Sequence, residues 1–169
     1  MKKIAMVAVA AVLATGTAHA APTGNSSTAD GAATATIVAP IVLTHVESAV
    51  LSFGTFTTGG GGSVVVSAAD GTGSDNGEVG FVSGSTTSAD EFTVTGDPLR
   101  TFGIVTRRGT VTGVNSGDTM DFRTTPSAPD GALDGTGNAS FTVGGRLTVA
   151  GTESPDVYEG TYEAEVSYN

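Results

Sequence analysis

The chain has no cysteine and no tryptophan, and only 7 of its 169 residues are lysine or arginine. Without cysteine there is no disulfide to staple the fold, no thiolate metal site and no cysteine nucleophile. Burial alone must hold the domain together. With no tryptophan and three tyrosines, few rings are available as a stacking platform for sugars. No Gly-x-Ser-x-Gly elbow occurs, and a Ser-His-Asp triad would have to use His45, which has no evident partner nearby in sequence. The 17 acids leave a carboxylate pair open in principle, but nothing marks one as a glycosidase pair. The chain does not read as an enzyme, and no cofactor is implied.

The scarce positive charge is scarcer still if the start of the chain is removed. Lys2 and Lys3 precede an apolar run over 4–14, and Ala18-His19-Ala20 gives a small-x-small cleavage pattern. Residues 1–20 therefore read as a secretory signal peptide, with Ala21 as the first mature residue. The run is shorter than the roughly 20 residues that span a bilayer, so no direct membrane insertion is expected. The expectation is export through the inner membrane to the periplasm, then to the cell surface or beyond. The remaining 149 residues make one domain. Five arginines (Arg100, Arg107, Arg108, Arg123 and Arg146) then face 17 acids, a net charge of −12. Such a chain repels nucleic acid and anionic lipid, and neither is an expected partner.

What the sequence does have is glycine, 25 residues of it, without collagen periodicity. The glycines fall between short runs of Val, Thr, Phe and Ile, the pattern of an all-β domain with many turns. Residues 21–31 are small and polar and read as a linker. Over 32–46 the odd positions Ala33, Ala35, Ile37, Ala39, Ile41 and Leu43 are apolar, which is strand alternation. Pro40 divides this into strands 32–39 and 41–46. Further strands are expected at 63–69, 79–82, 91–95, 101–106, 109–114 and 119–124. A strand over 140–150 should carry a bulge at Gly144-Gly145. Segments 57–63, 70–78, 124–138 and 151–160 read as loops. In the last run, 161–169, Tyr162, Ala164, Val166 and Tyr168 alternate with polar residues. Nine or ten short strands without helical periodicity imply an immunoglobulin-like β-sandwich with an N-terminal extension.

Oxygen ligands gather in 70–78, where Asp70, Asp75 and Glu78 are the residues that would serve Ca²⁺. Asp130, Asp134 and Asn138 recur in a second loop. The first spacing does not fit an EF-hand, and Asp and Asn favour turns in any case, so no metal is assigned.

The framing segments ATATIVAPIVL, LSFGTF and GTYEAEVSY resemble chaperone–usher pilins, especially the archaic branch and spore-coat-protein-U-like domains. They also resemble related secreted bacterial β-sandwiches of unknown function. The resemblance rests on the alternating N-terminal strand, on Leu51-Ser52-Phe53-Gly54, on Gly160-Thr161-Tyr162 opening the last strand, and on the penultimate Tyr168. Pro40-Ile41 stands where many such subunits have a cysteine. The resemblance implies a sandwich lacking one strand, completed by a neighbour's N-terminal extension. It makes residues 21–39 the linker and donor strand, and 40–169 the domain that receives one. Ala33, Ala35, Ile37 and Ala39 would fill the neighbour's groove. Tyr162, Ala164, Val166, Tyr168 and Asn169 would face the groove or a periplasmic chaperone. The implied partners are other copies or related subunits, a periplasmic chaperone and an outer-membrane usher.

Two functions follow. One is a structural subunit of a surface filament that serves adhesion or biofilm formation. The other is a self-contained binding module, with loops 57–62 and 124–138 as its contact surface. Strand 32–39 separates them: a binding module pairs it within its own sheet, and a filament subunit leaves it free.

Overall fold

Alternation of Val, Phe and Thr produces strands wherever one face can be buried, and the computed structural model has thirteen of them among its described residues. It describes residues 24–26 and 28–169. The signal segment expected over 1–20 lies outside the described residues, as do 21–23 and Ser27. In chain order the strands are β1 (Val42–His45), β2 (Phe56–Thr57), β3 (Gly62–Val66), β4 (Gly73–Gly77), β5 (Gly80–Phe81), β6 (Asp90–Thr95) and β7 (Thr101–Thr106). They continue with β8 (Gly109–Gly113), β9 (Thr119–Pro126), β10 (Asp130–Ala132), β11 (Asn138–Val149), β12 (Tyr158–Thr161) and β13 (Ala164–Tyr168). Among the described residues there is no helix, and so none long and apolar enough to cross a membrane.

The fold is all-β and sandwich-like. One antiparallel sheet has the order β1-β6-β11-β9-β8-β12, with β3 and β4 joined through β11. The second has the order β10-β7-β13, and β2 and β5 form a small separate ladder. Two apolar clusters fill the interior. Phe92, Val94, Phe102, Ile104, Leu133, Phe141 and Val143 lie where β6 and β11 face the three-stranded sheet. Val64, Val79, Met120, Phe122, Leu147 and Val149 form the second, covered by Leu51, Phe53, Phe56 and Phe81.

The long strand β11 organises both clusters. Its first half pairs with β6, ending at Val143 opposite Asp90, and its second half pairs with β3 from Gly145 opposite Val66. On its other edge the pairing with β9 runs unbroken from Val143 to Leu147. Gly144-Gly145 is therefore not the expected bulge but the point where one edge changes partner. A side chain on Gly144 would strike the backbone of Val66, Ser67 and Ala68, and one on Gly145 would strike the carbonyl of Arg123.

Four expected loops differ. Segment 70–78 contains β4, which pairs with β3 as an exposed polar edge. Segment 124–138 contains β10, 151–160 contains the start of β12, and 57–63 ends at the first residues of β3. The terminal run also divides. Thr161 ends β12 in the large sheet, and Ala164 begins β13 in the small one. The chain crosses between sheets at Tyr162-Glu163, where the sequence pattern shows no interruption. Strand 41–46 forms as β1, but 32–39 contains no strand.

Leu51-Ser52-Phe53-Gly54 has a structural role. Leu51 and Phe53 cap the second cluster, with the Phe53 ring 5.8 Å from that of Phe122. Ser52 bridges to Ser88, and Gly54 turns the chain at φ 74°.

Carboxylates tie the loops in place of disulfides. Asp156 accepts hydrogen bonds from the amides of Asn115 and Ser116 and from the Asn115 side chain. Asp118 accepts from Ser154 N–H at 2.8 Å, which closes the same pair of loops. Asp134 accepts from the amides of Thr136 and Asn138. The Ser116 amide, then Asn115, holds Asp156 far below the ordinary carboxylate range, and the Asn138 amide lowers Asp134. Burial would raise Glu153, but the amides of Ala150, Gly151 and Thr152 outweigh it.

Two outcomes follow. Gly144→Ala should lower stability by about 1–3 kcal/mol, because backbone must move to admit the methyl group; the urea midpoint measures it. Asp156 has a depressed native pKa, so its stabilising contribution is present at neutral pH and is lost as pH falls through that value. Asp156→Asn should flatten the acid limb of a melting-temperature profile below about pH 4, where an unfolded carboxylate protonates.

Candidate functional site

The small sheet ends at β13. This strand pairs with β7 from Ala164 opposite Thr106 to Tyr168 opposite Phe102. Its other edge makes no backbone hydrogen bond among the described residues. Ala164, Val166 and Tyr168 pack on the first cluster yet remain partly exposed, while Glu165 and Ser167 face out. Across the seam, β1 is likewise the last strand of its sheet, and Ile41 and Leu43 are partly buried on the same cluster. Two unpaired edges thus flank a strip of incompletely covered core. An edge of this kind is a template for another strand.

Hydrogen bonds fix both ends of the strip. At one end the Tyr168 hydroxyl donates to the Ala39 carbonyl at 3.0 Å and accepts from Asp97 N–H at 2.7 Å. Arg100 lies 6.0 Å from the Tyr168 ring centroid and pairs with Asp97 at 2.8 Å. The Asn169 amide donates to Thr101, and its side chain, with Asp97–Thr101, lines a surface depression of about 410 Å³.

At the other end lies Asp90, 5% exposed. Its Oδ1 accepts from His45 Nε2 at 2.7 Å and from Glu91 N–H, and its Oδ2 accepts from the Tyr162 hydroxyl at 2.7 Å. Burial, reinforced by the Asp90 carboxylate, pushes the Tyr162 phenol well above its ordinary range, so it remains a donor. His45 shows no evident partner nearby in sequence. Its ring is half exposed, but it is tied to a buried carboxylate 45 residues away in sequence.

The residues expected to face the groove are placed as follows. Ala164, Val166 and Tyr168 share one face of β13. Tyr162 precedes β13 and packs against both clusters, with Phe92 and Phe122 each at 6.2 Å. Asn169 is exposed. In the N-terminal segment, Ala33, Ala35, Ile37 and Ala39 are exposed, Ile37 at 96%. Ala39 differs from the other three because its carbonyl is held by Tyr168.

The Ca²⁺ residues are not assembled. The Asp70 carboxylate accepts from Thr72 N–H, Asp75 is exposed on β4, and Glu78 accepts from Gly60 N–H. Among the described residues no three His, Asp or Glu side chains are grouped to hold a metal.

The profile of the family described as Domain of unknown function (DUF4402) matches residues 43–168. The chain belongs to that family. The matched range starts within β1 and ends at Tyr168, so it comprises both sheets and both unpaired edges of the DUF4402 body. No curated protein and no solved structure matches the chain.

Residue-level reading missed Asp90, which is the first residue of an ordinary-looking strand. It also missed Asp97 and Arg100, which brace Tyr168 from a turn. No local signal marks these three; their side-chain partners lie 45 or more residues away, apart from the Asp97–Arg100 pair itself.

Tyr162→Phe should lower stability by about 1.5–3 kcal/mol, the range for a hydrogen bond to a charged group. His45→Ala should cost less, because Asp90 Oδ1 keeps the Glu91 amide, whereas Tyr162→Phe removes the one donor to Oδ2. Equilibrium urea unfolding of the two variants ranks them.

Proposed function

We propose that this DUF4402 chain is an exported structural subunit that assembles with other copies by strand donation. Residues 32–39 of one copy add to the free edge of β13 in the next. The observation that carries the reading is the state of that edge: among the described residues β13 has one backbone edge unpaired and its three apolar side chains partly uncovered. The alternating segment 32–39 forms no strand of its own.

The dimensions agree. Five residues of β13 extend about 13 Å, with same-face side chains about 6.6 Å apart. Ala33, Ala35 and Ile37 repeat at the same interval and provide three side chains against Ala164, Val166 and Tyr168. Ala39, held by Tyr168, then serves as the base of the arm rather than as a fourth inserted residue. Contact of this kind is head-to-tail, so it produces an open polymer. The filament would serve adhesion or biofilm formation. A periplasmic chaperone would cover the β13 edge before assembly, and an outer-membrane usher would direct the exchange.

The polymer should resist dissociation, because each joint buries a whole strand. Material sheared from cells and run in SDS without boiling should give a ladder of multiples that collapses to one band on boiling. Ile37→Asp and Val166→Asp should each abolish the ladder while the boiled band persists. A monomer band in both conditions would sink the assembly reading and favour a self-contained module.

A further inference from the structure

We propose that Arg108, Arg123 and Arg146 form a binding site for acidic oligosaccharides on the outer face of the large sheet. Arg146 on β11 lies directly opposite Arg123 on β9. The β8–β9 pairing ends with Gly109 opposite Phe122, which places Arg108 beside Arg123 one step further along. The three residues make a row from β11 across β9 to the residue that precedes β8, about 10 Å wide at the usual strand spacing. All three are exposed.

The charges in this row are uncompensated. Ion pairs among the described residues occupy Asp90, Asp97, Glu163 and Glu165, with His45, Arg100 and Arg107 as their partners. None involves the row, although the chain has 17 acids, all within the described residues. The nearest acid along β9 is Asp121, two residues before Arg123, and its Oδ1 already accepts from the Thr110 hydroxyl at 2.8 Å. Like charges directly opposite on a sheet are destabilising. Three of the five arginines after residue 20 are therefore concentrated where they weaken the sheet and where no acid of the chain pairs with them. A ligand anion would reverse that cost, and guanidinium groups hold carboxylate or sulfate through paired N–H donors.

The surroundings define the ligand further. Thr110, Thr125 and Thr148 are exposed on the same three strands. They add hydroxyls that exchange hydrogen bonds with sugar hydroxyls. The net charge of the whole chain opposes long polyanions, nucleic acid included, so a short acidic sugar chain fits better. The site is independent of strand donation: it lies on β9, β11 and the residue that precedes β8, not at β13.

The test uses the chain of residues 21–169, a tetragalacturonate and a sulfated tetrasaccharide, with binding followed by NMR shifts at 20 mM and 300 mM salt. One or both should bind at low salt and weaken at high salt. The two probes separate carboxylate from sulfate recognition. Arg123→Ala should weaken binding about tenfold, and the triple variant R108A/R123A/R146A should abolish it with its melting temperature retained or raised. Arg107→Ala removes the same charge elsewhere and should change binding less than about twofold. Equal loss in Arg107→Ala and Arg123→Ala would reduce the effect to net charge and overturn the site. So would no shift with either probe at millimolar concentration. Self-association that disappears in the triple variant, without sugar binding, would overturn it in favour of a second copy's acidic surface.

Discussion

Asp90 carries a carboxylate inside a sandwich that has no disulfide, and three elements depend on it. His45 brings in β1, the Glu91 amide fixes the start of β6, and the Tyr162 hydroxyl fixes the crossing from β12 to β13. A charged group taken out of water is costly unless its lone pairs are occupied. Here both oxygens are engaged within 2.9 Å. Tyr162 then extends the constraint through its ring. His45 packs on Phe92, Phe92 on Tyr162, Tyr162 on Phe122, and Phe122 on Phe53. This aromatic series joins the two apolar clusters at the level where β11 exchanges β6 for β3. The polar contact sets the position of the ring, and the ring joins the two halves of the interior.

The same arrangement holds an unpaired edge in a usable shape. An isolated last strand, paired on one side only, would fray. β13 is kept in place at its beginning by Tyr162 and at its end by Tyr168, whose hydroxyl is shared between Ala39 and Asp97. Between these ties its backbone edge remains open and its apolar face half covered. An edge fixed in this way would give up little further entropy on the strand addition proposed above, which would favour slow dissociation. The other outer strands are protected differently. β4 is Gly-Ser-Asp-Asn-Gly and exposed over most of its length, and β12 is short with Glu159 facing out. Charge, glycine and brevity make poor templates.

The elements legible in the sequence were those whose burial alternates. The strands at 101–106 and 109–113 follow directly from Val, Phe, Ile and Thr at period two, and so does the core of β9. β4 and β10 were not legible, because both are held by backbone pairing to a neighbour rather than by a buried face. The division of the terminal run was hidden for the opposite reason. Tyr162 and Ala164 remain apolar and inward on both sides of the crossing, so the pattern persists while the sheet changes. Gly144-Gly145 was recognised as special, but its physical role depends on where Ala68 and Arg123 pass, and that information lies in tertiary structure. Of the site, the apolar face of the last strand was legible. Asp90, Asp97 and Arg100 were not, since a single polar residue at a strand start or turn carries no signal of a distant partner.

The shortage of cysteine and the excess of acid have a common explanation in this fold. A small one-domain sandwich can resist loop opening with a disulfide. Here Asp118, Asp134, Glu153 and Asp156 close loops by accepting backbone amides, several to one carboxylate. Amides that are already satisfied by an anion do not have to be hydrated, and the anion is lowered in pKa by the same contacts. These four acids act as local closures, and they contribute to the chain's net charge of −10. Arginine is then the exceptional residue. Arg100 and Arg107 are absorbed by Asp97, Glu163 and Glu165 at the two ends of β13. Arg108, Arg123 and Arg146 share a row with no acid bonded to them. With the other two arginines both paired, this row is where an external anion has most to gain.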